Sequence, residues 1–212
     1  LLEAAVGYAL AGAAPVTPRL LSRPTPCSGW DLAMLLDHLS DSIGLLQEAL
    51  ATGGRGTRAG MGRAGQEADP VARLHSQAAG LLAAYAAAET EGRPVAFGDR
   101  ELSVRMVAVA AAIEISVHGW DIAVARGACR PVPPGLATVL LPVAPLLITP
   151  ATRPGLFADP VRLAGPAGPG DRLVAFLGRR PRRPEAPGAG RPDNAGDCWP
   201  IRDDSRASGW SV

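Results

Sequence analysis

The stretch Glu114-Ile115-Ser116-Val117-His118-Gly119-Trp120-Asp121 lies inside a long apolar, alanine-rich run. If the run is a helix, Glu114 and His118 are one turn apart and sit one above the other on the same face. A carboxylate and an imidazole at that spacing can grip one divalent cation, and a ligand from a facing helix would complete the protein's share. The chain has three histidines, so the choice of that ligand is narrow. His38, far upstream, is the candidate.

Outward from this stretch, the sequence reads as a series of amphipathic helices. Leu1 to about Ala14 is rich in Ala and Leu, and Pro15 and Pro18 break the helical pattern after it. Arg23 to Trp30 is a turn-rich connector, with Ser28 and Asp31 spaced as a near capping box. A second helix is expected from about Asp31 to Leu50, because Leu32, Leu35, Leu36, Leu39, Ile43, Leu46 and Leu50 recur at steps of three and four or their sums. Thr52 to Gly65 is rich in Gly and Arg, has no apolar period and reads as a flexible loop. Asp69-Pro70 has the chemistry of an N-cap followed by a first helical residue, and starts a third helix reaching about Glu89. Gly92 to Asp99 is a short crossing with some extended character at Val95–Phe97. The fourth helix is predicted over 100–126, with Gly127 placed for a left-handed cap.

Four such helices with one long central loop predict an all-α fold, a four-helix bundle over 1–127. After Gly127 the texture changes. Pro131 to Pro134 reads as a linker, Gly135 to Ile148 as apolar and partly helical, Phe157 to Val161 as extended, and Gly170 to Gly178 as a short amphipathic helix. Residues 128–180 thus form a short α/irregular extension packed on or beside the bundle. From 181 to 212 Pro, Gly and Arg dominate and periodicity is lost, which predicts a disordered tail.

With 212 residues, 47% of them hydrophobic, the chain is long enough for a sizeable core. Its net charge of +1 gives no field that would draw nucleic acid or an anionic membrane. All 21 basic residues are arginine, the mark of a very GC-rich genome. Cys27, Cys129 and Cys198 are an odd, sparse set that does not suggest a disulfide-stapled secreted scaffold. No basic-then-apolar leader opens the sequence as given. The longest apolar stretches carry charge or are broken by proline, as at Pro142 and Pro145. No membrane span is expected, and the cytoplasm is the default compartment.

In a bundle, His38 from the second helix can face Glu114 and His118 from the fourth. A His, Glu, His set leaves a coordination position open, as catalytic zinc sites do, whereas structural sites fill all four. Metal-bound water or thiolate there is a nucleophile at neutral pH. The ordinary alternatives are an exposed ion pair for Glu114 and His118 and a satisfied core or surface histidine for His38. The uncharged neighbours of Glu114 count against the first, because an ionised carboxylate in such a setting needs a partner.

Three segments together resemble the signatures of one family. They are Thr25-Pro26-Cys27-Ser28-Gly29-Trp30-Asp31, then Asp37-His38-Leu39, and then Glu114 through Ala123. The group is similar to the actinobacterial mycothiol-dependent maleylpyruvate isomerase N-terminal domain, within the DinB-like superfamily. Phe157–Val161 and Asp171–Arg179 resemble the C-terminal part of that group's stand-alone members. The resemblance implies a DinB-like bundle with a divalent metal, commonly zinc, and His38, Glu114 and His118 fall on its ligand positions. It implies mycothiol, a low-molecular-weight thiol, as cosubstrate or cofactor, bound to the metal as thiolate for transfer to, or isomerisation of, a small electrophile. The short Pro/Gly-rich C-terminal segment departs from the isomerase itself, which puts maleylpyruvate as substrate in doubt.

Other residues carry weaker signals. Trp30 and Trp120 are candidates to line the site and bind the cofactor, with plain packing as the alternative. Cys27 precedes the helix carrying His38 and reads as a small buried hydrophobe ahead of a reactive thiol. Asp121 lies one turn beyond His118 and suits either a structural hydrogen bond or the orientation of a metal ligand. Asp37 points about 100° away from His38 around a helix and is not assigned to the metal. His75 reads as a surface residue, and Arg179, Arg180, Arg182 and Arg183 as a solvated basic tail. The competing functions are a metal-activated thiol enzyme, a metal-hydroxide hydrolase or lyase, and a non-catalytic metal-binding bundle. No catalytic side chain beyond the metal-bound thiol or water is assigned, no nucleic acid or membrane partner is expected, and monomer and homodimer remain open.

Overall fold

The computed structural model describes residues 1–54, 69–92, 94–97 and 100–181. The helices are α1 (Leu2–Ala13), α2 (Leu32–Thr52), α3 (Pro70–Glu91), α4 (Val104–Ala125), α5 (Pro134–Leu140), α6 (Ala144–Leu147) and α7 (Pro169–Phe176). A two-stranded antiparallel hairpin, β1 (Val95–Phe97) and β2 (Arg100–Leu102), joins α3 to α4, with Ala96 opposite Glu101. The architecture is the all-α, DinB-like bundle expected. Most of the expected loop, residues 55–65, and the tail at 182–212 lie outside the described residues.

The starts of α2, α3 and α4 each have a local cause. Asp31 caps α2 by accepting from the Met34 amide, and Asp69 caps α3 by accepting from the Val71 amide, with Pro70 in the first turn. The expected box with Ser28 is therefore replaced by Asp31 acting alone. The fourth helix was expected from Arg100. It begins instead after Ser103, whose side chain accepts from the Met106 amide, because Arg100–Leu102 pair as a strand with Val95–Phe97. At its other end Gly127 has φ 79°, and the Gly127 and Ala128 amides return to the Val124 and Ala123 carbonyls. This is the glycine cap anticipated there.

The leucine stripe of α2 is buried as its spacing dictates, with Leu32, Leu35, Leu36 and Leu39 fully enclosed and Leu46 half-buried. α2 packs against α3 on one side and α4 on another, while α1 lies along α4. α4 has buried residues around its whole circumference, from Val104 to Ala125, as befits a central helix. By length and composition it could cross a bilayer, but 78% of its most apolar window is buried inside the protein, so it serves here as the core helix. α5 and α6 also touch α4, and α7 packs on α5.

The α1–α4 contact depends on glycine. A Cβ on Gly119 would stand 3.0 Å from the Ala9 Cα and 3.0 Å from Cδ1 of Tyr8, and one on Gly12 would stand 3.3 Å from the Gly119 carbonyl oxygen. The two helices approach here backbone to backbone, with the Tyr8 ring against Gly119. Gly119→Val is expected to lower stability by about 1–3 kcal/mol through overpacking, read as a lower denaturant midpoint. A midpoint equal to that of the parent protein would show that α1 can withdraw without penalty.

Candidate metal centre

α4 presents Glu114, His118 and Asp121 on successive turns of one face, and α2 brings His38 against that face. The amphipathic pattern of α2 sets one side of the site: its stripe buries Leu35 and Leu39 and holds His38 beside them, half-exposed. Nε2 of His38 lies 3.2 Å from Oε1 of Glu114, and Nε2 of His118 lies 3.1 Å from the same oxygen. The two imidazoles meet edge to face, with centroids 5.2 Å apart. His118 is buried, whereas the His38 and Glu114 side chains keep 38% and 26% of their surface exposed. One side of the cluster is thus open to solvent.

Behind His118 a second layer fixes the ring. Nδ1 of His118 lies 3.0 Å from Oδ2 of Asp121, which is fully buried. Asp121 in turn accepts from Arg179, whose Nη2 is 2.7 Å from Oδ2 and whose Nε is 3.1 Å from Oδ1. The Cys27 thiol donates to Oδ2 of Asp121 at 3.4 Å, and Nη2 of Arg179 donates to the Cys27 sulfur at 3.2 Å. The expectation of a solvated basic tail therefore fails for Arg179, which is buried and ion-paired, while Arg180 is exposed. Arg182 and Arg183 lie outside the described residues.

Two sets of side chains have ligand atoms close enough to share an ion: His38, Glu114 and His118, and Cys27, His118 and Asp121. Two members of the second set, Cys27 and Asp121, already bond the Arg179 guanidinium, whose positive charge opposes a cation beside it. Among the described residues no arginine hydrogen-bonds to the first set. Ligand atoms on a tetrahedral zinc at about 2.0–2.1 Å stand roughly 3.3–3.4 Å apart, and the 3.1 and 3.2 Å separations here need only a small opening. The hydrogen bonding points the same way. Asp121 takes the Nδ1 proton of His118, which turns Nε2 toward the Glu114 carboxylate. Two lone pairs cannot face each other there, so the position calls for a proton or a cation. The residues fit a divalent metal.

The electrostatics of the metal-free protein follow from these contacts. Burial pushes the Glu114 carboxyl up, but hydrogen bonds from His118 and His38 overcome it and hold Glu114 far below the usual carboxylate range. Burial likewise opposes ionisation of Asp121, and the Arg179 charge together with the His118 hydrogen bond reverses the balance and lowers it. His118 is disfavoured as a cation by burial, yet the Asp121, Cys27 and Glu114 hydrogen bonds raise it well above 6.5. The signs are therefore opposite. The two carboxylates contribute stability that is present above their ordinary values of 4.5 and 3.8 and is lost as pH falls through their lowered folded values. His118 contributes stability that is fully present below 6.5 and is lost as pH rises through its raised folded value. Metal-free protein should accordingly be most stable in a window bounded by acid and alkaline losses, read from urea midpoints across pH. Midpoints still rising through the alkaline range would contradict the His118 assignment.

Around this cluster, Trp30 is half-buried and meets His38 edge-on at 4.7 Å between centroids. The tight turn at 25–30, closed by the Thr25 amide on the Trp30 carbonyl and by Gly29 at φ 78°, puts Trp30 and Cys27 there. Trp120 is 7% exposed and belongs to the hydrophobic core. Asp37 pairs with Arg73 of α3, as does Asp41, and takes no part in the cluster. His75 is exposed on α3. The sequence reading missed the role of Arg179. The available signal was Asp121 itself, an acid among Ile, Ala and Val that needs a cationic partner when buried.

A profile of the mycothiol maleylpyruvate isomerase N-terminal domain matches residues 2–123. Two uncharacterized proteins of Mycobacterium tuberculosis are similar, Rv0738 of strain H37Rv and MT0763 of strain CDC 1551. Each is 29% identical over 176 residues, covering 76% of this chain and 86% of the relative. No solved structure matches the chain.

Proposed function

The chain belongs to the mycothiol maleylpyruvate isomerase N-terminal domain family, and we propose that it is a cytoplasmic, divalent-metal-dependent enzyme that joins a mycothiol-like thiol to a small electrophile, by transfer or by reversible addition and isomerisation. His38, Glu114 and His118 hold the metal, with zinc the ion best suited to two nitrogens and one carboxylate oxygen. What carries the reading is the convergence of Nε2 of His38 and Nε2 of His118 on one oxygen of Glu114. When bound, the ion supplies Lewis acidity and keeps a thiol sulfur ionised at neutral pH. The chain's own groups do the rest. Glu114 brings one negative charge to offset the cation, Asp121 fixes which ring nitrogen of His118 faces it, and Trp30 offers an apolar wall beside His38. The exposed edges of His38 and Glu114 face the side from which a thiol would approach.

Elemental analysis of purified protein, followed by thiol titration of the cobalt-substituted form, tests this. One metal per chain and a thiolate-to-cobalt absorption band are expected. Absence of metal after zinc loading would overturn the reading. Stoichiometric metal with no spectral response to mycothiol, but with a response to pH, would shift it to a metal-hydroxide hydrolase or lyase.

A further inference from the structure

We propose that Arg179, carried by the C-terminal segment and outside the family-matched residues, is a positioning residue for the cation site: it clamps Asp121 so that Nε2 of His118 is aimed at Glu114. The inference rests on the metal reading above for its affinity arm alone.

The geometry supports a clamp built for direction. Residues 174–179 end α7 in a paired cap, in which the Gly178 amide bonds the Ala175 carbonyl and the Arg179 amide bonds the Val174 carbonyl, at 3.1 and 2.9 Å. Gly178 has φ 83°, and a Cβ there would stand 2.7 Å from the Ala158 carbonyl oxygen. The turn therefore needs glycine, and it reverses the chain so that Arg179 points back at α4. The guanidinium then spends its donors in three directions: two on Asp121, one on the Leu177 carbonyl at 3.0 Å, and one on the Cys27 sulfur. The Leu177 bond ties the guanidinium to its own turn, and the Asp121 bonds tie that turn to α4. With both Asp121 oxygens engaged, the carboxylate cannot rotate about its Cβ–Cγ bond without breaking an Arg179 contact, and Oδ2 stays where His118 Nδ1 meets it at 3.0 Å. A ring held by its far nitrogen has its near nitrogen fixed in place. The bundle defined by residues 2–123 thus supplies the ligands, and a residue 56 positions beyond its end (179 − 123) sets the orientation of one of them.

The test compares wild type with Arg179→Lys and Arg179→Gln, each checked for native helicity. Zinc and cobalt affinities come from competition with a chromophoric chelator, alongside the cobalt visible spectrum. In metal-free protein, NMR reads the His118 Nδ1–H proton, which is visible when it is held and shielded from exchange. Arg179→Gln is expected to weaken zinc binding roughly 10- to 100-fold, the usual effect of losing an outer partner of a ligand. It should also alter the cobalt spectrum and abolish the Nδ1–H signal, with Arg179→Lys restoring part of each. Wild-type affinity, spectrum and Nδ1–H signal in a folded Arg179→Gln protein would overturn the proposal. So would an unchanged site in Arg179→Lys if the Gln variant fails to fold. If wild type binds no metal, the metal reading falls by itself, and the Nδ1–H signal in wild type and Arg179→Lys still decides whether the clamp exists.

Discussion

Asp121→Ala is expected to destabilise the protein by about 3–5 kcal/mol, the loss typical when one partner of a buried ion pair is removed. Arg179 loses both of its carboxylate contacts yet stays 9% exposed, and His118 Nδ1 and the Cys27 thiol lose their acceptor. Three side chains thus lose a partner together, and water cannot replace a carboxylate that is fully enclosed. For a chain of this size the change corresponds to a fall in melting temperature of roughly 6–20 °C. Asp121→Asn keeps the volume and one acceptor oxygen, so it should fall between wild type and the alanine variant. Urea unfolding of the metal-free proteins is the measurement. A loss below about 1 kcal/mol for the alanine variant would mean that the ion pair contributes little, as solvent-exposed pairs do.

The second large effect concerns the metal. His118→Ala should abolish stoichiometric metal while leaving the helical protein folded. Structural zinc binding is worth about 10–16 kcal/mol over four ligands, so one ligand accounts for roughly 2.5–4 kcal/mol, a hundred- to a thousand-fold in affinity. The fold survives because the groups left behind keep partners: Asp121 keeps Arg179, and Glu114 keeps His38. Far-UV circular dichroism reports the fold and elemental analysis the metal. Full metal retention in His118→Ala would remove this side chain from the site, and loss of helicity would make it a packing residue first.

The parts of this fold that could be read beforehand are those written in local periods. The α2 stripe, the caps at Asp69 and Gly127 and the Glu114/His118 spacing each depend on residues a few positions apart, and each matches the structure. Features that depend on distant residues were harder. Arg100–Leu102 carries no helix breaker, so its pairing with Val95–Phe97 overrides a helical tendency that local sequence alone supports. Arg179 stands among other arginines and prolines, and nothing nearby distinguishes it from Arg180, which faces solvent. Only the turn at Gly178 separates their fates. Trp120 obeys the same logic: its nearness to His118 in sequence suggested the site, but two residues along a helix are a rotation of about 200°, and Trp120 lies in the hydrophobic core.

The central position of α4 has a kinetic consequence. Amides enclosed on every side exchange with solvent only when the surrounding elements come apart together, so the backbone from Glu114 to Asp121 should be among the slowest to take up deuterium. Glu114 and His118 are then presented from backbone that moves only when the core around it does. His38 and Trp30, on the wetter flank, can adjust to an incoming molecule while the helix opposite them stays still.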